Sequence, residues 1–365
     1  MYAKVEKIEI DENKRIICIS DIHGNLDALM GLLDKLKFCK EDILFLIGDL
    51  VEKGPKNLET LRYIIKLQRE YEVYVICGNC DAITKEIVKE QENPRLLSYL
   101  LLGCHSLLNE MLDEIKYPLH KESNLLTISK LLLANFKEEL DFIINLPDII
   151  ETKNFIFVHG GLTNLADTPL YEQEQNCVRK MDDFLNRGTK FEKYVVVGHW
   201  PVALYSKRYP NYNPVISREK KIISIDGGNI VTIDGQLNGL VIPNINSEEF
   251  TYESYDKLDY GIALHKQEGN HDSIYIPWTD NHIQILNKEN EFSYCKHISS
   301  GKCMWILNKF IYSDNTGFRC EDSTNYQIPI DAYDSIKVVE VTSRGYYVKK
   351  DGICGWYYGE LKFPI

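Results

Sequence analysis

The stretch IICISDIHGN (16–25) is an unbroken apolar run that stops on a carboxylate, Asp21, and an imidazole, His23, two residues apart. Five other runs end in the same way. ILFLI (43–47) leads into Gly48 and Asp49, VYVIC (73–77) into Gly78 and Asn79, and FIFV (155–158) into His159. YVVV (194–197) reaches Gly198 and His199, and IISI (222–225) reaches Asp226. Short runs rich in Val and Ile, without alternation, are expected to be strands buried on both faces. Sheets of such strands place ligands just beyond their carboxyl ends, where loops converge. The donors at these ends are therefore expected to share one site.

Strand and helix patterns alternate around the first three runs. A helix is expected over 26–36, between the strands ending at Ser20 and Ile47, and another over 57–70, before the strand at Val73. Such alternation marks βαβ units and a parallel sheet core. Residues 82–146 carry Leu and Ile at helical spacing and read as a helical insertion or cap. Downstream, IDGQLNG (233–239) places turn formers between apolar runs and reads as a hairpin. Beyond Pro243, Tyr, Trp and Gly are scattered among short β-type runs, and GYYVKKDGICGWYYGEL (345–361) has the form of a hairpin turning at Asp-Gly. A catalytic domain is therefore expected over 1–245 and a β-rich domain over 246–365. The aromatics of the latter form either the core of small barrels or an SH3-like surface that recruits a protein partner.

The 365 residues carry 42 Lys and Arg against 54 Asp and Glu, a formal charge of −12. That balance argues against a general nucleic-acid binder, which needs clustered cations along the phosphate backbone. The charged first fifteen residues show no secretory h-region, and Leu96 to Leu112 is interrupted by polar residues and too short to span a bilayer. The ten cysteines lack disulfide-framework spacing, and several sit inside apolar runs. Reduced thiols in a cytoplasmic, membrane-free protein are the expectation.

Asp21 and His23 can point at one ion while Gly24 lets the chain turn away. Asp49 has two oxygens and can bridge two ions, and Asn79 offers a neutral carbonyl to the second. His159 and His199 complete a donor set of nitrogen and oxygen, suited to Mn²⁺ first and to Fe or Zn²⁺ next. Two ions about 3.5–4 Å apart can hold an attacking hydroxide and a phosphoryl oxygen together. The pattern thus points to phosphate-ester hydrolysis.

At SDIHGN (20–25), GDLVEKGP (48–55), GNCD (78–81), VHGGL (158–162), VVGHWP (196–201) and IDGG (225–228) the chain resembles the phosphoprotein phosphatase (PPP) branch of the calcineurin-like metallophosphoesterases. The resemblance covers about residues 15–242 and resembles most the bacterial serine/threonine phosphatases. It implies an α/β fold, a four-layer β-sandwich flanked by helices, with two divalent ions on the strand-end loops. Carried over position by position, Asp21, His23 and Asp49 bind the first ion, and Asp49, Asn79, His159 and His199 the second. Asp49, Cys80 and Asp81 fall on catalytic positions, and Arg179, Lys53 and Asn79 on positions that hold the substrate phosphate.

Two departures bear on the substrate. Lys53 stands where the family has an arginine, keeping the charge and losing the bidentate fork. Cys80 stands where PPP enzymes carry the histidine that protonates the leaving group; it can be read as a general acid, as a third metal-facing ligand unusual in an N/O site, or, the favoured reading, as a small filler that leaves that protonation to water or another residue. Activity is therefore expected to favour leaving groups that need little protonation. The resemblance implies a monoesterase acting on a phosphorylated protein or small molecule. Phosphodiesters or dinucleoside polyphosphates are the alternative substrates, and a non-catalytic scaffold of the same fold is the alternative role.

Overall fold

The computed structural model describes residues 1–89, 93–103 and 105–364, so the part of the expected helical insertion at 90–92 and at 104 lies outside the described residues. The chain divides into two compact units. The first takes Met1–Pro201, Pro214–Val231 and Gln236–Asp256; the second takes Val202–Asn213, Thr232–Gly235 and Lys257–Ile365.

In the first unit the chain runs β1 (Val5–Lys7), β2 (Ile16–Ile19), α1 (Leu26–Lys35), β3 (Ile43–Ile47), α2 (Asn57–Glu70) and β4 (Glu72–Ile76). Helices α3 (Asp81–Lys85), α4 (Pro94–Leu101), α5 (Leu107–Glu114), α6 (Leu125–Asn135) and α7 (Lys137–Asn145) follow. Then come β5 (Ile149–Glu151), β6 (Phe155–Val158), α8 (Gln175–Arg179), β7 (Tyr194–Val197), β8 (Val215–Ser217), β9 (Ile222–Ser224), β10 (Leu237–Ile242) and β11 (Thr251–Tyr255). Two sheets result, with strand orders β1-β5-β6-β7-β9-β8 and β11-β10-β2-β3-β4. β2, β3 and β4 are mutually parallel, as are β6, β7 and β9, so the carboxyl ends of each trio lie together.

Side chains alternate across each strand, and the two faces have different neighbours. Ile16, Cys18, Ile43, Phe45 and Ile47 meet Phe155, Phe157, Val196 and Ile223 inside the sandwich, with the rings of Phe45 and Phe157 stacked at 3.8 Å. Ile17, Ile19, Leu44, Leu46, Val73 and Val75 turn the other way, into a core shared with the buried residues of α1, α2 and α4–α7. Both faces are thus covered, which is why these strands read as continuous apolar runs. The fold is the α/β sandwich flanked by helices that the resemblance implied, with a β-rich region following it.

Helices α1 and α2 form where the spacing places them. Asn25 caps α1, its side chain accepting from the Ala28 N–H at 3.2 Å. The apolar stretch Leu96 to Leu112 breaks into the short helices α4 and α5, and no described helix is long and apolar enough to cross a membrane. The expected hairpin at 233–239 does not form. Ile230 has φ +67°, Val231 and Ile233 are exposed, and β10 starts only at Leu237. β10 is drawn instead into antiparallel pairing with β2 and β11, where Leu240 and Ile242 become buried.

The second unit holds two five-stranded sheets and a two-stranded one, built almost wholly from antiparallel pairs. Gly345–Lys350 pairs with Ile353–Tyr357, and Asp351 and Gly352 both have positive φ, 50° and 74°, as a type I′ turn requires. Trp356 and Tyr357 are buried, so these aromatics serve as core. All nine described cysteines are free.

Candidate metal centre

The loops after β2, β3, β4, β6, β7 and β9 carry the polar residues singled out in the sequence, and hydrogen bonds lace the loops together. The N–H groups of Asp21, His23 and Gly24 donate to the carbonyls of Gly48, Asp49 and Leu50, at 3.1, 2.9 and 2.9 Å. From the other sheet, the Gly198 N–H donates to the His159 carbonyl at 2.9 Å and the His199 N–H to Asp21 Oδ2 at 3.0 Å. His159 crosses between sheets, its Nδ1 lying 2.8 Å from the Ile47 carbonyl.

This lacing holds the backbone in conformations that L-residues avoid. Asp21, His23, Asp49, Lys53 and His199 have φ of 56°, 51°, 50°, 72° and 65°. Non-glycine residues at such angles cost of order 1 kcal/mol or more each and cluster at functional sites. Two glycines make the approach feasible. A Cβ on Gly78 would lie 2.1 Å from Asp49 Oδ1, and one on Gly198 would lie 2.3 Å from Asp21 Oδ2.

Within this frame the donors form two three-residue sets that share Asp49. In one, ligand atoms of Asp21, Asp49 and His159 lie within 4.8 Å of one another; in the other, those of His23, Asp49 and Cys80 do. All five residues are buried. Asn79 stands beside Cys80, its Nδ2 donating to Sγ at 3.4 Å and its Oδ1 buried without a hydrogen-bond partner. His199 has its ring 5.4 Å from that of His159, with Nε2 2.9 Å from Asp182 Oδ1. The expected trio of Asp21, His23 and Asp49 is also close, with His23 Nε2 3.9 Å from both Asp21 Oδ1 and Asp49 Oδ2, so Asp21, Asp49, His23, His159 and Cys80 overlap in one cluster.

Electrostatics at the site are lopsided. Burial and the facing Asp226 hold the Asp21 carboxyl well above the ordinary range, and burial pushes Asp226 up to about 6. Burial also works against ionising Asp49, yet His159 and His23 hold it below the usual range. His159 is pushed up to about 10, because the Asp49 and Asp21 carboxylates outweigh its desolvation. His23 and His199 go the other way, to about 4, chiefly through burial. The Lys53 ammonium sits 3.4 Å from His23 Nε2, and Cys80, Asp49, Asp21 and Asp226 all raise its pKa. Buried carboxylates thus outnumber the cations that face them.

A divalent cation fits this set on two grounds. Asn79 Oδ1 is buried without a hydrogen-bond partner, and His159 Nε2 and His23 Nε2 lie 3.3 and 3.9 Å from the two oxygens of buried Asp49, an arrangement that is costly unless something binds there. In addition, the Ile47 carbonyl on Nδ1 of His159 leaves Nε2 facing the centre, 3.3 Å from Asp49 Oδ1, as the outer partner of a metal-bound imidazole does.

Three of the remaining expected residues are placed otherwise than their roles suggested. Asp81 is engaged by the backbone: its Oδ1 accepts from the Leu50 and Val51 N–H groups at 2.9 and 3.3 Å, and its Oδ2 from the Gly78 N–H at 2.8 Å. It staples the β3 and β4 loops together. Arg179 forms a buried ion pair with Asp148, Nε to Oδ1 at 2.6 Å, with Nη2 left unpartnered. Asp148 thus holds the guanidinium through Nε and leaves Nη2 unpartnered. Cys80 has its Sγ within 4.8 Å of ligand atoms of His23 and Asp49, and its backbone N–H bonds to Asp49 Oδ1 at 2.7 Å.

Sequence reasoning passed over several supporting residues. Asp226 was visible as a strand end but was not counted in the ligand set. Asn229 donates to the carbonyls of Asp21 and Ile22 at 3.2 and 2.9 Å, holding the strained turn. Glu52 is buried, accepts from the Tyr99 hydroxyl and from the Leu107 N–H at 3.0 Å, and so ties α4 and α5 to the Lys53 loop. No local signal marks the partners of Glu52 or Asn229, which lie 47 to 208 residues away in sequence.

The fold and the donor set define a metallophosphoesterase. The chain belongs to the calcineurin-like phosphoesterase family, whose profile matches residues 14–225. The symmetrical bis(5'-nucleosyl)-tetraphosphatase of Aliivibrio salmonicida is 42% identical over 85 residues, 22% of this chain and 30% of that protein. Its namesake in Vibrio parahaemolyticus is 28% identical over 166 residues, 45% of this chain and 50% of that one. The matched stretches thus span about a third to a half of the length of these relatives. Among solved structures, a cold-active protein-tyrosine phosphatase of a Shewanella species aligns with a TM-score of 0.44 at 15% identity, over 69% of this chain and 82% of that one.

Proposed function

We propose that this protein is a metal-dependent hydrolase of phosphoanhydride bonds, with a dinucleoside polyphosphate as substrate. The observation that carries the reading is the state of the third strand end. Cys80 is buried among His23 and Asp49, and Asp81 is consumed by three backbone N–H groups. Neither is placed to protonate an alkoxide. A nucleotide phosphate leaves as a stable anion and needs no such proton, whereas a serine alkoxide does. The names of the relatives support the same substrate class. The protein-phosphatase expectation rests on the resemblance alone.

Asp21, His23, Asp49, Asn79, His159 and His199 would hold two divalent ions, which when bound supply Lewis-acid charge and a hydroxide nucleophile at neutral pH. The protein's own groups orient and screen. Asp49 belongs to both donor sets and fixes their separation, and the carbonyl of Ile47 and the carboxylate of Asp182 hold His159 and His199. Lys53 brings a cation beside the centre, its ammonium 3.4 Å from His23 Nε2, where it can meet a phosphate oxygen while its backbone N–H is anchored to the His105 carbonyl at 2.7 Å. As a single point charge it holds one oxygen, without the two-pronged grip of arginine.

A substrate panel tests this. With divalent ion present, kcat/KM for a symmetrical dinucleoside tetraphosphate should exceed that for a phosphoserine peptide by about 100-fold, the scale of a missing general acid. Aryl phosphates should fall between them. Equal rates on phosphoserine and on the tetraphosphate, resolved by chromatography of the products, overturn the reading.

A further inference from the structure

The sequence offers two cysteines in VYVICGNCD, and the structure treats them differently. Cys77 belongs to the apolar core, with Sγ turned to the Gly78 carbonyl at 3.4 Å. Cys80 is just as buried, yet its surroundings are polar: a ligand atom each of His23 and Asp49 within 4.8 Å, and the Asn79 amide donating to Sγ. A filler of that size needs no such neighbours.

We propose that Cys80 is a sulfur ligand in the half of the centre formed with His23 and Asp49, and that this half selects a borderline ion such as Zn²⁺ over Mn²⁺. The inference rests on the dinuclear reading above. Two metal–ligand bonds of about 2.0–2.3 Å span up to ~4.6 Å, so donors grouped this closely reach a common ion with small side-chain shifts. An independent observation points the same way: His23 is 1% exposed and its Nε2 lies 3.9 Å from Asp49 Oδ2, so this half holds a buried ring nitrogen beside a carboxylate as well as a thiol. Sulfur changes the preference of the set. Carboxylate and carbonyl oxygens suit Mn²⁺, whereas a thiolate favours the softer ions. On binding, the thiol releases its proton to solvent and the thiolate forms the bond to the ion. The lack of a leaving-group acid then follows directly, because the residue at that position is occupied as a ligand.

The test uses Co²⁺ as a spectroscopic probe on the full chain, with Cys80→Ser and Cys77→Ser alongside and a non-thiol reductant throughout. The wild type and Cys77→Ser should both show the near-ultraviolet sulfur-to-cobalt charge-transfer band, and Cys80→Ser should lack it. In competition, Cys80→Ser should lose Zn²⁺ affinity by about 10–100-fold while its Mn²⁺ affinity changes little, read as metal content per chain. Circular dichroism establishes that each variant is folded, and Cys80→Ala serves if Cys80→Ser is not. Two Co²⁺ ions per chain without the band, or a band that survives removal of Cys80, overturn the sulfur ligand and leave the dinuclear reading standing. Failure to bind Co²⁺ at all overturns both.

Discussion

Asp81→Asn isolates the staple between the β3 and β4 loops. The side chain is fully buried and accepts three backbone N–H bonds, from Leu50 and Val51 on one oxygen and from Gly78 on the other. Asparagine has the same shape but only one acceptor oxygen. Keeping that oxygen on Leu50 and Val51 turns an NH₂ group against the Gly78 N–H, and the flipped amide strands two donors in place of one. The cheaper arrangement loses one charge-assisted bond, about 1.5–3 kcal/mol, and weakens the other two by removing the charge. A loss of about 2–4 kcal/mol in unfolding free energy is expected, read from the urea midpoint at unchanged m. The measurement belongs with divalent ion bound. Burial and the neighbouring Asp49 push the Asp81 carboxyl up to about 6 despite its backbone donors, and neutralising it in the ion-free protein would recover part of the loss. Because Gly78 leads into Asn79 and Cys80, metal affinity should also fall by about 10–100-fold. A variant within ~0.5 kcal/mol of the wild type, with metal affinity unchanged, refutes the staple and returns Asp81 to a purely catalytic role.

Divalent ions should stabilise the fold, since Asp21, Asp49 and Asp226 are buried together with few facing cations: at 100 times Kd one bound ion adds about 2.7 kcal/mol, and calorimetry with chelator against added Mn²⁺ or Zn²⁺ should show the melting temperature rise. An unchanged temperature contradicts the centre. Tyr99→Phe removes the hydroxyl donor to buried Glu52 and leaves only the Leu107 N–H, so a loss of about 1–3 kcal/mol is expected from denaturant unfolding, together with a raised KM as the Lys53 loop loosens. In the second unit burial pushes Asp322 up to about 7, with Tyr275, Asp234 and Glu321 nearby. The native state then binds more protons than the unfolded chain between about pH 4 and 7, so the stability this group contributes falls as pH rises through that window and is level above it. Asp322→Asn should flatten this slope in denaturant melts at pH 5 and 8, and an unaltered slope assigns it elsewhere.

Much of this protein is determined by the sequence on its own, because strands buried on both faces leave an unmistakable mark. IICI, ILFLI, FIFV and YVVV could not sit at a wet surface, and the polar residues that stop them had to lie at strand ends. The ordered set from Asp21 to His199 followed from that alone. The Asp-Gly turn at 351–352 was equally legible, since few dipeptides accept two positive φ angles in succession. IDGQLNG misled because local turn chemistry is weak beside long-range pairing: β2 offered β10 a buried edge, and the burial of Leu240 and Ile242 outweighed a hairpin.

Only the tertiary structure shows which donors lie close together and which partners the charged neighbours take. Arg179 and Asp81 carry the residue types of phosphate clamp and catalytic partner; in space the first is held through Nε by Asp148 with Nη2 unpartnered, and the second accepts from three backbone N–H groups. Cys80 reads in sequence as a gap where a histidine should be; in space its sulfur lies within 4.8 Å of ligand atoms of His23 and Asp49. The reason is physical. Strand patterns are set by burial, which each residue reports locally, whereas the role of a buried charge is set by the partner that compensates it, and that partner can come from anywhere along the chain.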